Sequence, residues 1–134
     1  MRPRILIVDD HAVMREGLRT LLGTLRPQWE ICGEAADGQQ AIESIKALKP
    51  DVVILDITMP VMGGLEAASR IRKLDQKCRI LMFTMHESAT VKAEIAKAGG
   101  HGYVRKSQPG RDLVAAIDRL LNGSAPGLTK EPAW

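Results

Sequence analysis

Asp9 and Asp10 follow the apolar run 5–8, Asp56 follows the run 52–55, Thr84 ends RILMFT, and Lys106 follows GYVR. If these run ends meet at one edge, three carboxylates crowd together, an arrangement that costs free energy unless something positive joins them. Mg²⁺ suits such a set, because it prefers hard oxygen ligands, octahedral geometry and several retained waters. A lysine ammonium and a threonine hydroxyl beside the cluster supply what a phosphoryl group needs, a balancing cation and a hydrogen-bond donor. An aspartate in that setting can act as a nucleophile and form an aspartyl phosphate.

Convergence of these residues depends on the elements that carry them. Apolar runs over 4–8, 29–34, 51–56, 79–84 and 102–104 alternate with five stretches of helical spacing. ILIV and VVIL are apolar at every position, the pattern of strands buried on both faces of a parallel sheet. Between them, Leu18, Leu21, Leu22 and Leu25 mark one helical face, and Leu113, Ala116, Ile117 and Leu120 another. Ile42, Ile45 and Leu48, then Leu65, Ala68 and Ile71, then Val91, Ile95 and Ala98 mark the three helices between. Asp37 with Gln40 resembles a capping box, Ser88 can cap the fourth helix, Gly99 and Gly100 suit its end, and Pro109 fits the first turn of the fifth. Strand–helix alternation of this kind predicts an α/β fold, a doubly wound five-stranded parallel sheet with right-handed crossovers. Ligands of such sheets sit outside the carboxyl ends of the strands, where the five residues stand.

The chain has 134 residues, 45% hydrophobic and 26% charged, which is ordinary globular usage and argues against wholesale disorder. Its apolar runs are too short to span a bilayer, and the aspartates that interrupt MRPRILIVDD argue against a signal peptide. The expectation is a cytoplasmic single domain over 1–122, with 123–134 as a tail or the start of a linker. Cys32 and Cys78 form no metal-binding spacing and are expected as small core hydrophobes. The net charge of +3 is small, and Arg70, Arg72, Lys73, Lys77 and Arg79 are expected as a solvated face around one helix end. Trp29, Phe83, Tyr103 and Trp134 are too few to build a nucleic-acid surface. His86 and His101 are expected at the surface and His11 beside the acidic site.

In order along the chain, VDD at 8–10, Asp56 within LDITMPVMGG, Thr84 after ILMF, and GYVRKS with Tyr103 and Lys106 resemble the receiver domain of two-component response regulators. The likeness covers about residues 4–122, and DDHAVMREGL and GYVRKSQPGRDLVAAI are most similar to the NarL/FixJ subfamily. The resemblance implies a flavodoxin-like (βα)5 fold. It implies Asp56 as phosphoacceptor, Asp10 as a direct Mg²⁺ ligand, Asp9 acting through a water, and the Thr58 backbone carbonyl as a further ligand. Lys106 and Thr84 would contact the phosphoryl oxygens, Thr84 and Tyr103 would form the switch, and Thr58 and His86 look like the rate-tuning positions. The implied partner is a sensor histidine kinase, with acetyl phosphate as a small-molecule donor. Dimerisation on phosphorylation and transcription control through a C-terminal LuxR-type helix-turn-helix domain, which this chain stops short of, complete the expectation. The protein would be a switch rather than a turnover enzyme. A Mg²⁺-dependent phosphohydrolase is the competing reading, but haloacid-dehalogenase-type enzymes place a second aspartate two residues after the nucleophile, where this chain has Thr58. Lys106 is followed by serine rather than proline, so no cis peptide bond is expected there.

Overall fold

The computed structural model describes residues 2–85 and 88–123. His86, Trp134 and the expected tail beyond Gly123 lie outside the described residues. The elements alternate as β1 Arg4–Val8, α1 Ala12–Leu25, β2 Glu30–Ala35, α2 Gly38–Leu48, β3 Val52–Asp56, α3 Gly64–Leu74, β4 Arg79–Thr84, α4 Ala89–Ala98, β5 Gly102–Arg105 and α5 Gly110–Leu121. All strand pairs are parallel, in the order β2-β1-β3-β4-β5. The fold is therefore the doubly wound sheet that the unbroken apolar runs require.

Alternation along each strand sends side chains to two cores. Leu6, Val8, Val53, Leu55, Ile80 and Met82 meet Ile42, Ile45, Ala68, Ile71 and Ile95 of α2, α3 and α4. Ile5, Ile7, Val52, Ile54, Leu81 and Phe83 meet Leu18 and Leu22 of α1 and Leu113, Ile117 and Leu120 of α5. Both faces of the sheet are thus covered, which is why residues 5–8 of β1 and 52–55 of β3 are all apolar and buried.

Local signals fix most boundaries. The Asp37 carboxylate accepts from the Gln40 amide, and Ser88 Oγ accepts from the Val91 amide, each satisfying an otherwise orphaned helix donor. Gln40 closes its half of the box one residue early, with Oε1 accepting from the Ala36 amide. Gly99 ends α4 at φ 96°, a left-handed conformation that suits glycine. Pro109 is the residue preceding α5 rather than its first turn. The second strand begins one residue later than its apolar run, because Trp29 belongs to the turn. Its amide donates to Arg26 O, and its buried ring lies under the Arg26 guanidinium. Among the described residues there is no cis peptide bond.

Candidate functional site

The site forms where the strand order reverses, between β1 and β3. Val8 pairs with Leu55, so the next residues, Asp9 and Asp56, stand side by side at the carboxyl edge. Asp9 and Asp56 are both buried, and Asp10 is partly exposed. One ligand atom from each of Asp9, Asp10, His11 and Asp56 lies within 4.8 Å of every other. The edge is thus an acidic cluster of the kind that can hold a metal ion.

Lys106 reaches this cluster from the far side of the sheet. Its Nζ donates to Asp9 Oδ2 at 2.8 Å and stands 3.3 Å from Asp56 Oδ2, with the side chain only 6% exposed. The approach is fixed at both ends. The Lys106 amide donates to Thr84 O at 2.6 Å, which ties the end of β5 to the end of β4. The turn after β5 is closed by Gln108, whose Oε1 accepts from the Arg105 amide and whose Nε2 donates to Asp112. Thr84 is buried at the end of β4, and Tyr103 is buried on β5 with Lys92 Nζ over its ring.

Charges in the cluster are unbalanced. Burial pushes the Asp56 carboxyl above its usual range and the neighbouring Asp9 charge adds to this, while Lys106 and a backbone hydrogen bond at Thr58 oppose it. For Lys106, burial alone would lower the ammonium's pKa. The hydrogen bond to Asp9 and the charges of Asp56 and Asp9 outweigh burial and raise it. Three carboxylates therefore stand beside one ammonium that pairs with only two of them, Asp9 and Asp56. Asp10 Oδ1 is buried without a hydrogen-bond partner, although His11 Nδ1 lies 3.1 Å away outside bonding geometry. An orphaned carboxylate oxygen beside two other carboxylates fits a hard divalent cation.

Two glycines let the backbone close around this edge. A Cβ on Gly64 would stand 2.0 Å from Asp56 O, and the Gly64 amide donates to Ile57 O at 2.7 Å. This folds the 57–63 loop, with exposed Thr58, back over Asp56. Gly38 likewise sits against Met62, to whose carbonyl its amide donates. Val61 in that loop is exposed at φ 67°, an uncommon conformation for a β-branched residue.

Of the residues picked out by sequence, the structure brings Asp9, Asp10, Asp56 and Lys106 into one cluster, with Thr84 tied to Lys106 through its carbonyl. Thr58 lies two residues beyond Asp56, and Tyr103 lies in the core on β5, two strands away. His86 is outside the described residues. His11 enters the cluster more closely than expected, with its amide donating to Asp9 Oδ1 and its Nδ1 3.2 Å from the same oxygen. Reasoning from sequence missed Arg15 and Gln108. Arg15 donates to Asp9 O and to Glu34, and so braces the loop that carries the acidic pair. Gln108 carried a weak signal, its four-residue spacing from Asp112, whereas nothing in the sequence links Arg15 to Glu34.

His101 corrects an expectation. It is 4% exposed, not a surface residue, and its Nδ1 accepts from the Ile80 amide at 3.0 Å. Gly100 and Gly102 give no hydropathy signal on either side, but the chain enters β5 here and turns the imidazole inward. Arg72 and Arg79, expected on a solvated face, both lie against its ring.

Residues 5–118 match the family model described as the response regulator receiver domain. The chain is 36% identical over 121 residues to the nitrate/nitrite response regulator protein NarL of Escherichia coli K12, covering 89% of this chain and 55% of NarL. It is 38% identical over 121 residues to the chemotaxis protein CheY of Thermotoga maritima, covering 90% of this chain and 98% of that protein. Among solved structures, a LuxR-family two-component response regulator from Aurantimonas sp. SI85-9A1 superposes with a TM-score of 0.87 at 41% identity, covering 92% of this chain and 87% of that one. The chain spans about half the length of most of the curated relatives it matches. The parallel sheet, the acidic edge between β1 and β3, and the match over 5–118 lead to one assignment: this chain belongs to the response regulator receiver domain family.

Proposed function

We propose that this chain is a phosphorylation-switched receiver in which Asp56 accepts a phosphoryl group from a sensor histidine kinase. The observation that carries the reading is the position of Lys106 Nζ between Asp9 and Asp56, beside an Asp10 oxygen that has no hydrogen-bond partner. An Asp56 carboxylate oxygen attacks phosphorus as the phosphorus–nitrogen bond of the donor phosphohistidine breaks, and the imidazole keeps the electron pair. With acetyl phosphate, acetate leaves instead. Mg²⁺, held by Asp9, Asp10, Asp56 and the Thr58 carbonyl, would supply the positive charge that lets the donor approach three carboxylates.

Lys106 then has a choice of partners. The new phosphoryl group carries more charge and more acceptor oxygens than a carboxylate, so it draws Nζ from Asp9, and the Thr84 hydroxyl donates to a second oxygen. Lys106 and Thr84 are joined by a backbone hydrogen bond, so movement at either is felt at the ends of both β4 and β5. Tyr103 and α4 pack beside these strands and form the two-state element that carries the signal outward. Thr58 and His86 are assigned to setting the lifetime of the acyl phosphate. The output is transcription control through a LuxR-type DNA-binding domain following this one, with dimerisation on phosphorylation, in the cytoplasm. The protein acts as a switch and not as a turnover enzyme. Among the described residues no helix is long and apolar enough to cross a membrane.

Intact-mass spectrometry after incubation with Mg²⁺ and acetyl phosphate tests this reading. One phosphoryl adduct on the wild type, absent from Asp56→Asn and absent when Mg²⁺ is chelated, is the expected result. An equal adduct on Asp56→Asn refutes it. So does a wild type that takes up neither phosphoryl nor beryllofluoride, a mimic of the aspartyl phosphate.

A further inference from the structure

At the opposite end of the sheet two guanidinium groups converge on one imidazole, and among the described residues that ring is the side-chain hydrogen-bond contact each of them makes. Arg72 lies in the last turn of α3, Arg79 opens β4, and His101 immediately precedes β5. Arg72 Nη1 is 3.2 Å and Arg79 Nη1 3.3 Å from His101 Nε2. A guanidinium can only donate hydrogen bonds. The Ile80 amide also only donates, and it points at Nδ1, so the proton of the neutral ring is on Nε2. Nε2 therefore faces two guanidinium groups with a hydrogen of its own.

The environment does not resolve this conflict. Among the described residues neither Arg72 nor Arg79 forms a salt bridge, whereas Arg4, Arg15, Arg19, Arg26 and Arg70 all do. Burial, and then the two arginines, push the His101 pKa down to about 4, so the ring adds a donor without adding charge. Arg72 is also placed with little freedom. Its stem lies where a Cβ on Gly99 would stand, 2.3 Å from Arg72 Cγ, so the left-handed glycine that ends α4 makes room for it. Both arginines remain partly exposed, which leaves the corner open to solvent.

We infer that Arg72, Arg79 and His101 form a binding site for a small doubly charged oxyanion of the phosphate class. Two guanidinium charges balance a dianion, and guanidinium and imidazole N–H groups are the donors that the acceptor oxygens of a tetrahedral anion need. The site is separate from the acidic edge. Arg79 and Thr84 are opposite ends of β4, about 17 Å apart at the rise of a strand. A ligand here would join the end of α3, the start of β4 and the entry to β5.

The test is a titration of the whole, isotopically labelled chain with inorganic phosphate, without Mg²⁺ and at constant ionic strength balanced with chloride. The readouts are the ring nitrogens of His101 and the side-chain N–H signals of Arg72 and Arg79. A saturable shift centred on these three residues is expected. Arg72→Gln and Arg79→Gln should each weaken it by about tenfold, the loss of one charge-assisted hydrogen bond. Their backbone amide spectra report whether the variants are folded, and the wild-type titration stands without them. A shift that does not saturate, one that chloride alone reproduces, or one centred on Lys106 and Thr84 would overturn the inference.

Discussion

Replacing Asp56 with asparagine should make this protein more stable, because the acidic edge is held together at an electrostatic cost. Ligand atoms of Asp9, Asp10 and Asp56 lie within 4.8 Å of one another, a separation at which each carboxylate pair repels by about 3.5 kcal/mol at an effective dielectric of about 20. Lys106 Nζ, 3.3 Å from Asp56, returns about 5 kcal/mol on the same scale. Asp56 feels two repulsions and one attraction, so its charge is unfavourable by about 2 kcal/mol even before desolvation. Asp56→Asn keeps the shape and removes the charge. Its gain of about 2 kcal/mol corresponds to roughly 6 °C in Tm for a chain of this size. The sign with pH follows from the raised Asp56 pKa. A carboxyl raised in the folded state favours folding while protonated, so that contribution is complete below about pH 4 and is lost as pH rises through the raised value. The advantage of asparagine should therefore be absent in acid and grow over that window. The assay is denaturant unfolding of both proteins in chelator, then in Mg²⁺, at acid and at neutral pH. Mg²⁺ should narrow the gap by stabilising the folded wild type. A variant no more stable than wild type in chelator at neutral pH would refute the argument.

Three other changes test separate parts of the structure. Lys106→Met removes the cation shared by buried Asp9 and Asp56 and should cost roughly 3 kcal/mol at neutral pH; unfolding curves that overlay the wild type would contradict the pairing. Gly64→Ala places a methyl 2.0 Å from Asp56 O and should cost roughly 3 kcal/mol. Gly17→Ala, in α1 with nothing within 4 Å of the added atom, should gain about 0.5–1 kcal/mol. Equal effects from these two alanines would show that the crowding at Asp56 is not real. Burial pushes the Cys78 thiol up to about 12, so a thiol reagent should label half-buried Cys32 first and Cys78 only on unfolding; equal labelling rates in the folded protein would contradict that burial.

The fold was legible because its elements are locally determined. ILIV and VVIL are apolar without alternation, which two covered faces demand, and Asp37, three residues before Gln40, and Ser88 cap α2 and α4 as their residue types lead one to expect. The acidic edge was legible because the topology brings strand ends together, so that a residue's place after its run stands in for its place in space. Contacts made by side chains reaching sideways were not. Arg15 finds Glu34 across the β1–β2 edge, and Arg72 and Arg79 find His101 at the far end of the sheet; neither pairing leaves a periodic trace. Trp29 opens the apolar run 29–34, but its contacts with Arg26 place it in the preceding turn.

Under the proposed function Asp56, and no other carboxylate, receives the phosphoryl group. Borohydride reduction of the protein after treatment with Mg²⁺ and acetyl phosphate, followed by peptide mapping, converts an acyl phosphate into homoserine at the residue that carried it. Homoserine is expected at residue 56 alone, and only when Mg²⁺ was present. Homoserine at residue 9, 10 or 51 in place of 56 would contradict it.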